Sequence, residues 1–237
     1  MVVAMHMSDG LVTAPTAAVF GLIAVIGLAV AVSRARVDLD DRTAPMAGLV
    51  TAFVFAVQMI NFPILPGASG HLLGGALVAI LVGPWVGSLC IAIVLAVQAL
   101  LFADGGLTAL GTNIVNMALV GVFVGYAVAL ALRGLARRSR AGLVCTAFLA
   151  ALINTVVAAL AFVLEYAIGG AGGASLGTVL ALMVGLHVLI GIGEGIITAA
   201  TVGAVASVRP DLVHLLRGAP TLLHLRRSED VPERSAS

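Results

Sequence analysis

Six long stretches of this chain are almost free of charge, and that limits what it can fold into more than any other feature. They run from Leu11 to Ser33, Ala44 to Ile60, Leu72 to Phe102, Leu107 to Leu132, Leu143 to Ile168 and Leu176 to Ser207, and the only charged side chains in them are Glu165 and Glu194. A helix that crosses a bilayer needs ~20 apolar residues. Five of the blocks therefore read as one spanning helix each, although Ala44–Ile60 is short. Over the whole chain 61% of residues are hydrophobic and 10% charged, against roughly a quarter charged in a soluble domain. That is too little polar surface to face water, so lipid is the solvent. Cys90 and Cys145 lie within apolar runs and read as small buried hydrophobes, not as a disulfide or a thiolate site. No basic region precedes the first block, which reads as a permanent span and not a cleaved signal.

The block from Leu72 to Phe102 is too long for one helix and is interrupted by "GPWVG" at 83–87. The arginines resolve it. All twelve basic residues are arginine, and they fall at Arg34, Arg36 and Arg42, at Arg133, Arg137, Arg138 and Arg140, and from Arg209 to Arg234. Arginine-rich connections belong in the cytoplasm. The loops at 34–42 and 133–140 are then on one side, and an even number of crossings joins them. The middle block must cross twice, as two short helices meeting at "GPWVG", or not at all, as a re-entrant segment. Two helices are favoured, the first beginning before Leu72, because Leu72–Val82 alone is about 17 Å of helix. The expectation is an all-α integral membrane protein of about seven transmembrane helices, amino terminus outside and carboxy terminus cytoplasmic. Residues 1–207 form the transmembrane domain. Residues 208–237 form a polar tail, too short for a domain and expected to fray.

This topology brings two distant histidines to the outer face. His6 stands in "MVVAMHMSDG" and His71 closes "NFPILPGASGH", with Asp9 and Asp104 near by and no arginine on that face. Imidazole suits nickel, copper, zinc and related divalent ions, and the glycines before His71 let the backbone approach closely. The residues alone favour, over a metal pair, a stray loop histidine and a helix-entry hydrogen bonder. His187 and Glu194, seven residues apart in "HVLIGIGEG", share a helix face. They read as a second metal stop or, preferably, as a packing and hydrogen-bonding pair beside Gly191 and Gly195. Gln58, Gln98, Asn113 and Asn116 are candidates to order loops around a site or to join helices. Glu165 is expected at the interface. There is no H-E-x-x-H, G-x-S-x-G or nucleotide-binding loop, and nothing points to an enzyme, an organic cofactor or nucleic acid.

"MHMSDG", "GASGHLLGG", "WVGSLCIAIVLAVQALLFADGGLTALGTN" and "HVLIGIGEGIIT", in this order from Met5 to about Thr201, resemble the substrate-binding membrane subunits of cobalt and nickel energy-coupling factor transporters, the CbiM/NikM family. The resemblance implies seven helices with an outside amino terminus. It implies Ni(II) or Co(II) as cargo, held by the terminal amine of Met5, the backbone nitrogen and side chain of His6, and the side chain of His71. Four nitrogens in a plane favour a d⁸ ion such as Ni(II), with Co(II) close behind. It further implies a membrane coupling subunit, ATPase subunits that supply the energy, and a small accessory membrane subunit encoded separately, all at the cytoplasmic membrane. "MVVA" in front of Met5 departs from the family pattern, and the functional chain is expected to begin at Met5. The competing reading is a stand-alone carrier or channel for a divalent ion. It calls for acidic residues along the path, of which the spans offer only Glu194 and Glu165.

Overall fold

The computed structural model describes residues 6–60, 62–65 and 68–217. Met5, the "MVVA" stretch and residues 218–237 lie outside the described residues. The chain forms α1 (Ala14–Asp38), α2 (Thr43–Gln58), a short antiparallel hairpin of β1 (Phe62–Leu65) and β2 (Ala68–Gly70), then α3 (Gly75–Val82) and α4 (Pro84–Leu101). After these come α5 (Leu110–Ala131), α6 (Arg133–Arg138), α7 (Arg140–Gly169) and α8 (Leu176–Val208). Among the described residues, five helices (α1, α4, α5, α7 and α8) are long and apolar enough to cross a membrane. The protein is an all-α multi-pass membrane fold.

The local chemistry of the boundaries is legible. Asp40 Oδ1 accepts from the backbone N–H of Thr43 at 2.6 Å and from its hydroxyl at 2.7 Å, capping the first turn of α2. Ser139 and Ser175 cap α7 and α8 by accepting from the N–H of Gly142 and Thr178. α1 follows Thr13 with a proline in its first turn. Its Leu22, Val25 and Ile26 are exposed, a surface that only lipid solvates at no cost. Within α5 the stretch Ile114–Gly121 is wound as a π-helix, a rare form that occurs mostly near functional sites.

The middle block does split in two. Gly83, at φ 89° and ψ 165°, makes the break, a backbone conformation that only glycine adopts without strain. The start of its first helix is corrected. α3 does not begin before Leu72; it begins at Gly75 and has eight residues, all buried, about 12 Å of helix. The physical reason is that residues 71–74 are not helical. The amides of Leu73 and Gly74 have partners on α8 instead of a preceding turn. A helix this short is tolerated at membrane depth because protein, not lipid, satisfies its end. α5 meets α3 closely: a Cβ at Gly75 would lie 3.0 Å from the carbonyl carbon of Gly121, and one at Gly125 would lie 2.8 Å from Cα of Ala76.

The arginines gather at one end. Arg133 donates to the carbonyls of Leu215 and Arg217, Arg137 to Arg217, and Arg217 to Thr43 Oγ1. These bonds fold two 3₁₀ turns, Pro210–Leu212 and His214–Leu216, back onto the bundle, with Val213, Leu215 and Leu216 buried. The tail therefore does not fray through residue 217. Its docking puts the His214 ring against Gly83, so α3 runs from the opposite end of the bundle toward the arginines.

Candidate metal site

At the end remote from the arginines, residues 6–13 form an irregular segment tethered to the bundle, with a turn at 9–10 and a single bridge from Val12 to Gly170. Met7 N–H donates to Asn113 Oδ1 at 2.8 Å, while Asn113 Nδ2 donates back to the Met7 carbonyl at 3.1 Å. Gly106 N–H donates to the same carbonyl at 2.9 Å. Asp9 Oδ1 accepts from the backbone N–H of Thr108 at 2.8 Å and from its hydroxyl, and these bonds, the hydroxyl's first, hold the Asp9 carboxyl below its ordinary range. Further along, Thr13 N–H donates to Gly169 O at 2.7 Å, and Ala171 N–H to Leu11 O at 2.9 Å. The glycines of "ADGG" follow from this closeness. A Cβ at Gly106 would strike the backbone nitrogen of Asp9, and Gly105 sits at φ 89°.

This segment buries His6 against His71. Their ring centroids lie 4.4 Å apart, with the planes tilted by 39°, and both residues are almost fully buried. The histidines expected from the sequence to share a face are thus in contact; Met5 lies outside the described residues. The proton positions follow from the partners. His71 Nδ1 is 2.9 Å from the carbonyl oxygen of Leu72, which only accepts, so Nδ1 carries the hydrogen and Nε2 a lone pair. His6 Nδ1 faces Asp104 Oδ1 at 3.1 Å, a carboxylate acceptor, so Nδ1 carries a hydrogen, and in the neutral ring Nε2 has the lone pair. That hydrogen bond from the ring of His6 holds the half-buried Asp104 carboxyl below its usual range, outweighing the opposite pull of burial. Among the described residues both Nε2 atoms are buried without a partner, as is Asp104 Oδ2.

A buried nitrogen without a partner costs about 1–3 kcal/mol, and two in contact call for a common electrophile. Each has the form of a metal-ligating imidazole whose second nitrogen is fixed by an outer acceptor. Among the described residues no group of three or more His, Cys, Asp or Glu side chains is placed to hold an ion. The two imidazoles leave the rest of a coordination shell to other donors, such as backbone or terminal nitrogens or water. A chelate through the amide nitrogen of His6 closes its ring through Nδ1, the nitrogen here turned to Asp104, so that mode of binding requires the ring to turn about Cβ–Cγ.

The other polar candidates divide. Gln58 Nε2 donates to Leu73 O at 2.7 Å and so, like Asn113, orders a loop of the site. Asn116 Nδ2 donates to Glu165 Oε2 at 2.7 Å and joins α5 to α7. Glu165 is buried, not interfacial, because the close approach of α5 covers it. The amide of Gln98 has no partner among the described residues. His187 and Glu194 do not pair with each other. His187 Nδ1 donates to Met183 O at 2.6 Å on its own helix. Glu194 accepts from Leu73 N–H at 2.7 Å, Gly74 N–H at 3.0 Å and Thr155 Oγ1 at 2.9 Å. Gly191 and Gly195 admit Leu152 and Phe148 of α7, as the packing reading expected. The role of Asp104 as partner of His6 was not foreseen. Its signal in the sequence is its place in the connection after α4, on the face expected to carry both histidines.

The chain matches the family model CbiM, "cobalt uptake substrate-specific transmembrane region", over residues 6–212. It is 41% identical over 209 residues to the provisionally named fused nickel transport protein NikMN of Archaeoglobus fulgidus, covering 88% of this chain and 68% of that protein. It is 33% identical to the cobalt transport protein CbiM of Sorangium cellulosum, covering 90% of this chain and 96% of that one. A crystal structure of a transition metal transporter superposes with a TM-score of 0.79 at 30% identity, over 90% of this chain and 100% of that one. With a multi-pass fold and paired imidazoles already in view, these likenesses place the chain in the CbiM family, a family of metal transport proteins and not of enzymes.

Proposed function

We propose that this chain is the substrate-capture subunit of an energy-coupling factor transporter that imports Ni(II) or Co(II) across the cytoplasmic membrane. The observation that carries the reading is the contact of two buried imidazoles, His6 and His71, with the Nε2 of His71 unpartnered among the described residues. The ion is taken by His6 and His71 together with the amine of Met5 and the amide nitrogen of His6. Nitrogen donors in that number suit the later divalent transition metals. ATPase subunits supply the energy through a membrane coupling subunit, with a small accessory membrane subunit completing the assembly. Uptake of nickel or cobalt by cells carrying the transporter is expected to stop when the ATPase subunits are deleted. Undiminished uptake without them would favour the stand-alone carrier.

The reading includes seven crossings, with α2 and the 71–82 segment as the two short ones, the amino terminus outside and the arginines inside. Support comes from the separation of His6 and Asp104 from Arg42, Arg133 and Arg217, which occupy the other end of the bundle. Ser8 and Ser139 are both exposed and serve as reporters. On a background without Cys90 and Cys145, a cysteine at position 8 is expected to react with an impermeant thiol reagent on intact cells, and one at 139 only after lysis. The reverse pattern would overturn the orientation.

A further inference from the structure

His6 has a carboxylate behind it, Asp104. His71 looks as though it has none, since its Nδ1 donates only to the carbonyl of Leu72. That carbonyl belongs to the same peptide group as the N–H of Leu73, and this N–H donates to Glu194 Oε2 at 2.7 Å. One planar peptide unit therefore stands between a buried carboxylate and the imidazole. The sequence of contacts is Glu194 Oε2, Leu73 N–H, Leu72 C=O, His71 Nδ1–H. We propose that Glu194 is the positioning residue of His71, acting through the Leu72–Leu73 peptide to fix the direction and raise the basicity of Nε2.

Three further observations support this. Glu194 is held on both oxygens, by Gly74 N–H at 3.0 Å on one and by Leu73 N–H at 2.7 Å on the other, where Thr155 Oγ1 also lies 2.9 Å away, its single hydrogen shared between Glu194 and Ala151 O. The peptide cannot rotate freely, because the next carbonyl, Leu73 O, accepts from Gln58 Nε2 at 2.7 Å. Gly74 then turns the chain at φ 79°, where a Cβ would lie 2.8 Å from the side chain of Val54. Polarisation runs along such a series: an N–H bonded to a carboxylate makes its own carbonyl a stronger acceptor, and a stronger acceptor on Nδ1–H makes Nε2 a better donor to a metal. Glu194 is 123 residues from His71 in sequence, and it links the ligand to α8 and, through Thr155, to α7.

The inference rests on the capture reading above, and a double-mutant cycle keeps the two apart. Ni(II) is titrated into the full chain in detergent, well below each variant's melting temperature. Glu194→Gln is expected to weaken binding about 10–100-fold, the usual cost of removing an outer-shell partner of a metal ligand. On a His71→Ala background the same substitution is expected to change the residual affinity by less than about twofold, because the group it acts through is gone. A mere packing role would lower affinity equally on both backgrounds, and that result would overturn the proposal. So would wild-type affinity in folded Glu194→Gln. Thr155→Val decides the matter if that variant does not fold. It leaves the Leu73 and Gly74 bonds in place, and a few-fold loss that disappears with His71→Ala supports the relay, whereas an unchanged affinity overturns it. Wild-type affinity in His71→Ala itself sinks the capture reading, not the relay alone.

Discussion

His71→Ala is expected to weaken nickel binding by more than about 100-fold, beyond the cost of removing an outer-shell partner, while the protein stays folded and inserted. The imidazole is buried against His6 with its Nε2 free. The residues before it, Ala68, Ser69 and Gly70, bring no replacement ligand. The fold tolerates the loss because, among the described residues, the ring's only hydrogen bond is to its own neighbour Leu72. Removing a buried nitrogen that lacks a partner also relieves a cost. Two measurements check this. Metal titration gives the affinity directly. Thermal melting gives the linkage: a ligand at 100 times its dissociation constant stabilises by about 2.7 kcal/mol, so nickel should raise the melting temperature of the wild type and not of the variant. Retained affinity would remove His71 from the site.

A chain that begins at Met5 is expected to bind nickel at least ~10-fold more tightly than one that begins at Met1, because metal ligands must shed their protons to bind. A free amine does so readily. Once "MVVA" precedes Met5 the same nitrogen is an amide and binds only by losing a proton it holds strongly. With His6 second, amine, amide nitrogen and Nδ1 close two fused rings on one ion, for which the His6 ring must leave Asp104. Intact mass of the native protein tests where the chain starts. Titration of the two forms tests the amine. Equal affinities would sink the amine as a ligand even with His71 essential, and would leave the imidazoles to bind with water or Asp9.

How far the site could be read from the chain depends on the distance over which its causes act. The break at Gly83 is a local matter of glycine and proline, and it was legible. The start of α3 was not, because its first free amides are satisfied by Glu194, 120 or more residues later, and no window of sequence shows that. The meeting of His6 and His71 was reached through arginine placement, a rule about membranes that needs no contact information. The Asp104–His6 bond and the Asn113–Met7 pair span 98 and 106 residues; the sequence marked these polar groups as unusual without saying what they touch. Glu165 was misread because its height in the helix was visible and its neighbour on α5 was not. The π-helix over Ile114–Gly121 had no signature in its residues.

The tethering of residues 6–13 has a consequence in time. The segment that carries His6 is pinned by Asn113 and Gly106 and again by Gly169 and Ala171. A ribosome delivers roughly 5–20 residues each second, so the front of the chain waits on the order of ten to thirty seconds before its last anchors exist. Until Asp104, Gly106 and Asn113 have been made, His6 is an untethered ligand on a growing polypeptide, free to meet ions it was not built to keep. The segment is therefore fully anchored only after Gly169 and Ala171 have been made, although His6 is among the first residues of the chain.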